Sequence, residues 1–193
     1  LLSYAALNED PRLSSAASFY PVLKEALFSG RKGSRIGLFR RGLSEAFAEP
    51  AGDFIERHGG RIFLKTAAVR IHFSGNSQEV EFQDGRRISP EILILALPFT
   101  PLRKILPESM VYQDPFFHPL HRLTPSPIVA INLWFDRDFI DRDFVGFWGT
   151  RVHWLFNKGR ILGDGKSSYY SLVISGGREE MRISGPELVR MAM

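Results

Sequence analysis

The strongest constraint on the fold is the run Pro125-Ser-Pro-Ile-Val-Ala-Ile-Asn-Leu-Trp-Phe-Asp136. Its period is two, so it reads as a strand. Val129, Ile131, Leu133 and Phe135 share one face, and Ile128, Ala130, Asn132 and Trp134 share the other. The first face is wholly apolar and belongs in a core. The second mixes an amide and an indole with small residues, and His153-Trp-Leu-Phe-Asn157 brings further rings on a similar pattern. Two readings are open. Either the mixed face lines something, or a helix covers it and Trp134 simply packs, as large aromatics more often do.

The chain has 193 residues, long enough for one large domain or two small ones. Hydrophobic residues make up 44%, with 16 Phe and 3 Trp, which implies a core rich in rings or a cavity lined by them. The net charge is +4 and the pI about 9.6, only moderately basic. Arg31-Lys32-Gly-Ser-Arg35 with Arg40-Arg41 is the nearest approach to a basic run. A solvated loop is its ordinary reading, with nucleic acid or an anionic membrane surface as lesser ones. The rings lie in strands rather than beside these cations, so a stacking platform for nucleic acid is not expected. The absence of Cys excludes disulfides, thiol catalysis and thiolate metal sites. Of the five His, only His118 and His121 are close, and Pro119 between them argues against a regular helix presenting both to a metal. No apolar stretch approaches the roughly 20 residues of a membrane span, and no signal peptide is visible. The expected location is cytoplasmic, with peripheral contact at the inner membrane face compatible with it. The missing initiating Met and a closing helix that breaks off at Met193 point to a piece of a longer protein.

Ser14–Ser29 carries helical spacing, with Pro21 marking a start or a bend. Arg35–Phe39 suits a short strand. Gly42-Leu-Ser44 opens a helix with Ser44 as N-cap, Pro50 begins a second segment, and Gly59-Gly60 ends it. From Arg61 the period becomes two, predicting a strand that runs from Ile62 to Phe73. Ser74–Ser77 reads as a turn, Glu79–Gln83 as a strand, and Asp84-Gly85 as a hairpin signal. Ile92–Ala96 is a short apolar run of the kind buried on both faces. A helix follows over Thr100–Leu106, then an irregular connection over 107–126. Tyr169–Ser175 is a strand, and Pro186 starts the last helix. Asp136, Asp138, Asp141 and Asp143 alternate with Arg137 and Arg142 as a solvated turn would. The elements add up to a soluble α+β domain. Glycine-rich dinucleotide fingerprints, P-loops and nucleophile elbows are not seen, and the residues alone disclose no reaction.

Four blocks in order carry a resemblance. They are Ala6-Leu-Asn8 before the Ser14–Phe28 helix; Gly42-Leu-Ser-Glu-Ala-Phe47 with Pro50-Ala51, Phe54-Ile-Glu and Gly59-Gly-Arg-Ile-Phe-Leu-Lys-Thr66; Ile94-Leu-Ala-Leu-Pro98; and Ser126–Asp136 with Trp154-Leu-Phe156 and Val173-Ile-Ser175. Together they resemble the flavin-dependent amine oxidase and phytoene desaturase superfamily, above all its squalene-associated branch, the hydroxysqualene dehydroxylases.

The resemblance implies FAD as cofactor in the complete protein and a long isoprenoid as substrate, reduced as a hydroxyl leaves. The family strand after the paired glycines binds adenine through main-chain atoms, at Ala68 or Val69 here. Ala96, Leu97 and Pro98 correspond to the segment beside the pyrophosphate and ribose, and Arg40–Ser44 to the stretch entering near the isoalloxazine. Asn132, Trp134, Trp154 and Phe156 would line the substrate. Catalytic residues stay unassigned, and no metal is implied. By the same resemblance, 1–41 is a helical part of the substrate domain, 42–106 a partial FAD-binding domain, and 107–193 a mixed or antiparallel substrate-domain sheet with the start of a helix. The family's amino-terminal βαβ unit and its carboxy-terminal segment have no counterpart. Other readings within the resemblance are a carotenoid desaturase, an amine oxidase, or an isoprenoid-binding domain without catalysis.

Overall fold

The computed structural model describes residues 2–30, 32–75, 77–163 and 168–193. Arg31 of the basic run and Asn76 of the Ser74–Ser77 turn lie outside the described residues. Along the chain, α1 covers Leu2–Leu7 and α2 Ala16–Leu23, continued by a π-helical turn at Lys24–Phe28. Another π-helical turn, Ser44–Ala48, leads into α3, Glu49–Arg57. The strands β1 (Ala68–Ser74), β2 (Ser77–Phe82) and β3 (Arg87–Ile88) precede α4 (Phe99–Ile105), α5 (Glu108–Gln113) and a 3-10 turn at His118–His121. Then come β4 (Ile128–Phe135), β5 (Phe144–Gly146), β6 (Trp154–Asn157), α6 (Lys158–Leu162), β7 (Ser168–Ser175) and α7 (Gly185–Ala192). The fold is α+β, with two antiparallel sheets.

The chain divides into two compact units, one made of Leu1–Asp53 with Ser126–Met193, the other of Phe54–Pro125. The first is built on a four-stranded sheet in the order β4-β7-β6-β5. The core stripe of β4 behaves as its alternation requires: Ile131 packs with Leu155, Tyr170, Leu172 and Ile174, flanked by Val129, Leu133, Phe135 and by Leu188 and Val189 of α7. Helix α7 starts with a capping box, Ser184 and Glu187 satisfying each other's amide groups, and Pro186 stands in its first turn. The segment after α1 is tied to the sheet by Asn8. Its Nδ2 donates to Ser126 O at 2.7 Å, and its Oδ1 accepts from Gly176 N at 3.0 Å. Next to it, Arg178 forms a bidentate pair with Glu9 at 2.6 Å on each oxygen. The second unit packs the β1-β2-β3 meander on Ile105, Leu106 and Val111, with Ile71 at the centre.

Several expectations change. Pro21 lies within α2, whose N-cap is Ser15, and neither starts nor ends it; the chain widens to a π turn at Lys24. Ser44 is not an N-cap, because Leu43 is already helical and Ser44 falls inside the helix. The end of α3 follows its glycines: Gly59 N donates to Glu56 O and Gly60 N to Ile55 O, with Gly59 at φ 81°. Arg35–Phe39 forms no strand, and the described residues supply it with no ladder partner. The predicted 62–73 strand begins only at Ala68, since Lys65 turns the chain at φ 56° and Thr66 Oγ1 donates back to Leu64 O. Residues 92–97 join no strand ladder among the described residues. Leu93 and Leu95 pack inward, while Ile92 and Ile94 are 81% and 83% exposed, so the run is not buried on both faces. The 107–126 connection holds α5 and the 3-10 turn, because Pro107 and Pro119 stand where helices begin rather than where they break. The acidic turn is partly structural: Asp138 accepts from Tyr170 Oη at 2.8 Å, and Asp143 from Arg40 Nη2 at 3.0 Å and Arg160 Nε at 2.9 Å.

Candidate functional site

Register decides what faces the open side of the four-stranded sheet. Trp134 stands opposite Tyr169; Asn132 opposite Ser171, then Phe156, then Phe144; Ala130 opposite Val173, then Trp154, then Gly146. All four residues expected to line substrate, Asn132, Trp134, Trp154 and Phe156, therefore share one face, although β4 and β6 are separated by β7. Small side chains occupy the middle of this surface. Phe144, Trp154 and Phe156 form one border, with ring centroids 6.0 to 6.3 Å apart. Trp134 and Tyr169 close one end as a parallel stack, 4.7 Å between centroids and 6° between planes. Trp134 is 66% exposed, so no helix among the described residues covers it.

The open-face positions of these strands carry no charge. Apart from the buried Ser175 opposite Ile128, their polar groups gather at one place: Tyr169 Oη donates to Asn132 Oδ1 at 3.2 Å, and Ser171 stands directly across from Asn132. Tyr169, Ser171 and Phe144 escaped the sequence reading. The alternation in Tyr169–Ser175 contains the first two, but only register puts them beside Trp134. Phe144 sits in a strand too short, and too closely flanked by Asp and Arg, to show periodicity.

On the core side of the same strands lies a cavity of about 620 Å³, bounded by Phe135, Phe147, Val152, Leu172 and Met191. It is the incompletely filled space between sheet and α7, and none of the four expected substrate residues lines it. Just before β6, His153 stacks on Tyr4 at 4.1 Å and accepts Ser175 N–H at Nδ1 over 3.0 Å. Burial pulls its pKa below the usual imidazole value.

The residues expected at the cofactor lie in the second unit. Ala68, Ala96 and Leu97 border an apolar hollow of about 330 Å³ with Ile71 and Ile105, and Pro98 follows at the N-terminus of α4. Val69 is the extra residue of a β-bulge: Ala68 pairs with Phe82 and Arg70 with Glu81, so the ladder skips Val69. Val69 is thereby left without a register partner, and the residue is exposed. Of the basic loop, Arg40 is engaged by Asp143 and Arg41 pairs with Glu45.

The chain belongs to the family of flavin containing amine oxidoreductases, whose profile matches residues 1–187. It is similar to 15-cis-phytoene desaturase of Synechococcus elongatus, at 26% identity over 79% of this chain and 31% of that protein. It is also similar to hydroxysqualene dehydroxylase of Sinorhizobium fredii, at 28% identity over 98% of this chain and 42% of that one. The tomato (Solanum lycopersicum) 15-cis-phytoene desaturase is 25% identical over 68% of the chain and 21% of its own length. The chain thus spans less than half the length of these relatives. No helix among the described residues is long and apolar enough to cross a membrane.

Proposed function

We propose that this chain is the substrate-surface part, with a portion of the cofactor domain, of an FAD-dependent oxidoreductase acting on a long isoprenoid, of the kind that converts hydroxysqualene to squalene. The observation that carries it is the uncharged aromatic face of the sheet. A charged substrate such as an ammonium finds no counter-ion there, whereas a hydrocarbon gains apolar contact and ring faces for any positive charge developing along it. Residues on the face would hold the lipid, orient it and exclude water. The similarity to a phytoene desaturase and to a hydroxysqualene dehydroxylase favours the same ligand class.

The cofactor reading is supported by fit. Main-chain recognition of adenine requires an N–H and C=O not spent on a ladder, and the register skip favours Val69 over Ala68 for that role. Ala96, Leu97 and Pro98 would run beside the remainder of the nucleotide. Reduced FAD, when bound, would supply a hydride to the carbon that loses its hydroxyl, the hydroxyl leaving as water with one added proton.

The test uses the full-length protein carrying this chain, with reduced FAD and hydroxysqualene under anaerobic conditions. Squalene formation is expected; none, with flavin bound, overturns the assignment, and desaturated product from phytoene instead would move it to a desaturase. Near-stoichiometric flavin absorbance in the 193-residue chain alone would eliminate a purely lipid-binding module.

A further inference from the structure

On a surface otherwise made of rings and small apolar groups, the Asn132–Tyr169–Ser171 cluster stands out. A structural role would bury it, yet Asn132 is exposed and no hydrogen bond to its amide nitrogen is present among the described residues. The phenol fixes the orientation of the amide: because Tyr169 Oη donates to Oδ1, the Nδ2 group is the end presented outward, with two N–H donors. The phenol is itself held in place by its stack on Trp134. The result is a pre-oriented donor, with the Tyr169 oxygen as a neighbouring acceptor, beside the ring stack of an uncharged sheet face. An alcohol is the neutral group that uses both, accepting from the amide and donating to the phenol oxygen. A plain hydrocarbon leaves the amide facing apolar chain, which costs the hydration of its N–H groups.

We infer that Asn132, held by Tyr169, is the specificity element that reads a hydroxyl on the isoprenoid and so sets where along the lipid the oxygen lies. This rests on the reading of the open face as the lipid surface. It assigns Asn132 a recognition role, and Tyr169 a positioning role exerted through Asn132.

The test compares hydroxysqualene with squalene, each delivered from cyclodextrin and followed by tryptophan emission of the 193-residue chain. A Trp148→Phe background removes the most exposed indole, at 89%. The alcohol is expected to bind about tenfold more tightly than the hydrocarbon, the discrimination of one hydrogen bond. Asn132→Leu should bring that ratio to about one, with squalene bound more tightly than by the unaltered chain because the cost of dehydrating the amide is gone. Tyr169→Phe keeps the ring stack and frees the amide to turn, and should reduce the ratio by about threefold. Equal binding of both compounds by the unaltered chain, or a preference that survives Asn132→Leu, overturns the inference while the lipid surface stands. If neither compound binds, the lipid surface itself is wrong and the inference falls with it.

Discussion

Asn8 shows how much one side chain can join. It stands in the left-handed region at φ 51°, where its short amide tolerates the backbone, and bonds to both Ser126 O and Gly176 N. Asn8→Ala loses both bonds and meets the strain, and should cost about 2–4 kcal/mol by chemical denaturation. Asn8→Gly keeps the backbone and should recover part of that loss. His153 gives the residue scale a pH dependence. Its folded pKa lies below the ordinary 6.5, so the unfolded chain takes the proton first. The associated stability is present above about pH 6.5 and declines as the pH falls from there toward the lowered folded value. Unfolding midpoints between pH 7.5 and 5.5 should fall in the native chain and fall less in His153→Phe. Glu9, whose pKa Arg178 holds down, loses its pairing only below the ordinary carboxylate range, so the two effects separate on the pH axis.

At the scale of elements, β4 presents two faces with opposite sensitivities. Ile131→Ala removes side-chain volume from the core and should cost about 2–4 kcal/mol. Trp134→Ala on the open face should cost less than about 1 kcal/mol, yet abolish most isoprenoid turnover with flavin content unchanged. Thermal melts and steady-state rates on the pair check both statements. The bulge in β1 allows a similarly selective change. Proline is tolerated at bulges, so Val69→Pro should leave the meander folded while removing the N–H proposed for adenine. Flavin retention by the full-length protein should drop, and Val69→Ala should retain it; retention by both variants would remove Val69 from the cofactor site. Elements were legible where local chemistry was strong: β4, β7, α4, α7 and the glycine-terminated α3. They were misread where a strand needed a partner, at Arg35–Phe39 and Ile92–Ala96, or where one residue with positive φ cut a periodic run, at Lys65.

At the scale of the molecule, the exposed apolar residues are the notable quantity. Ile92 and Ile94, Leu64, Phe116 and Trp148 all stand largely in solvent, more than a self-contained domain ordinarily tolerates. The isolated chain should accordingly bind a hydrophobic dye strongly, and a full-length protein carrying it should bind much less per molecule, as dye fluorescence would show. Sequence by itself determined the α+β class, the apolar stripe that enters the core, and the company of Asn132 and Trp134 on the opposite face, because alternation along one strand is a local property. Tertiary structure alone decided that β7 lies between β4 and β6. That order stacks Tyr169 on Trp134, points the Asn132 amide outward and spreads the rings around a small-residue floor. The physical reason is that strand order and register arise from pairing between segments distant in the chain, which no local pattern encodes.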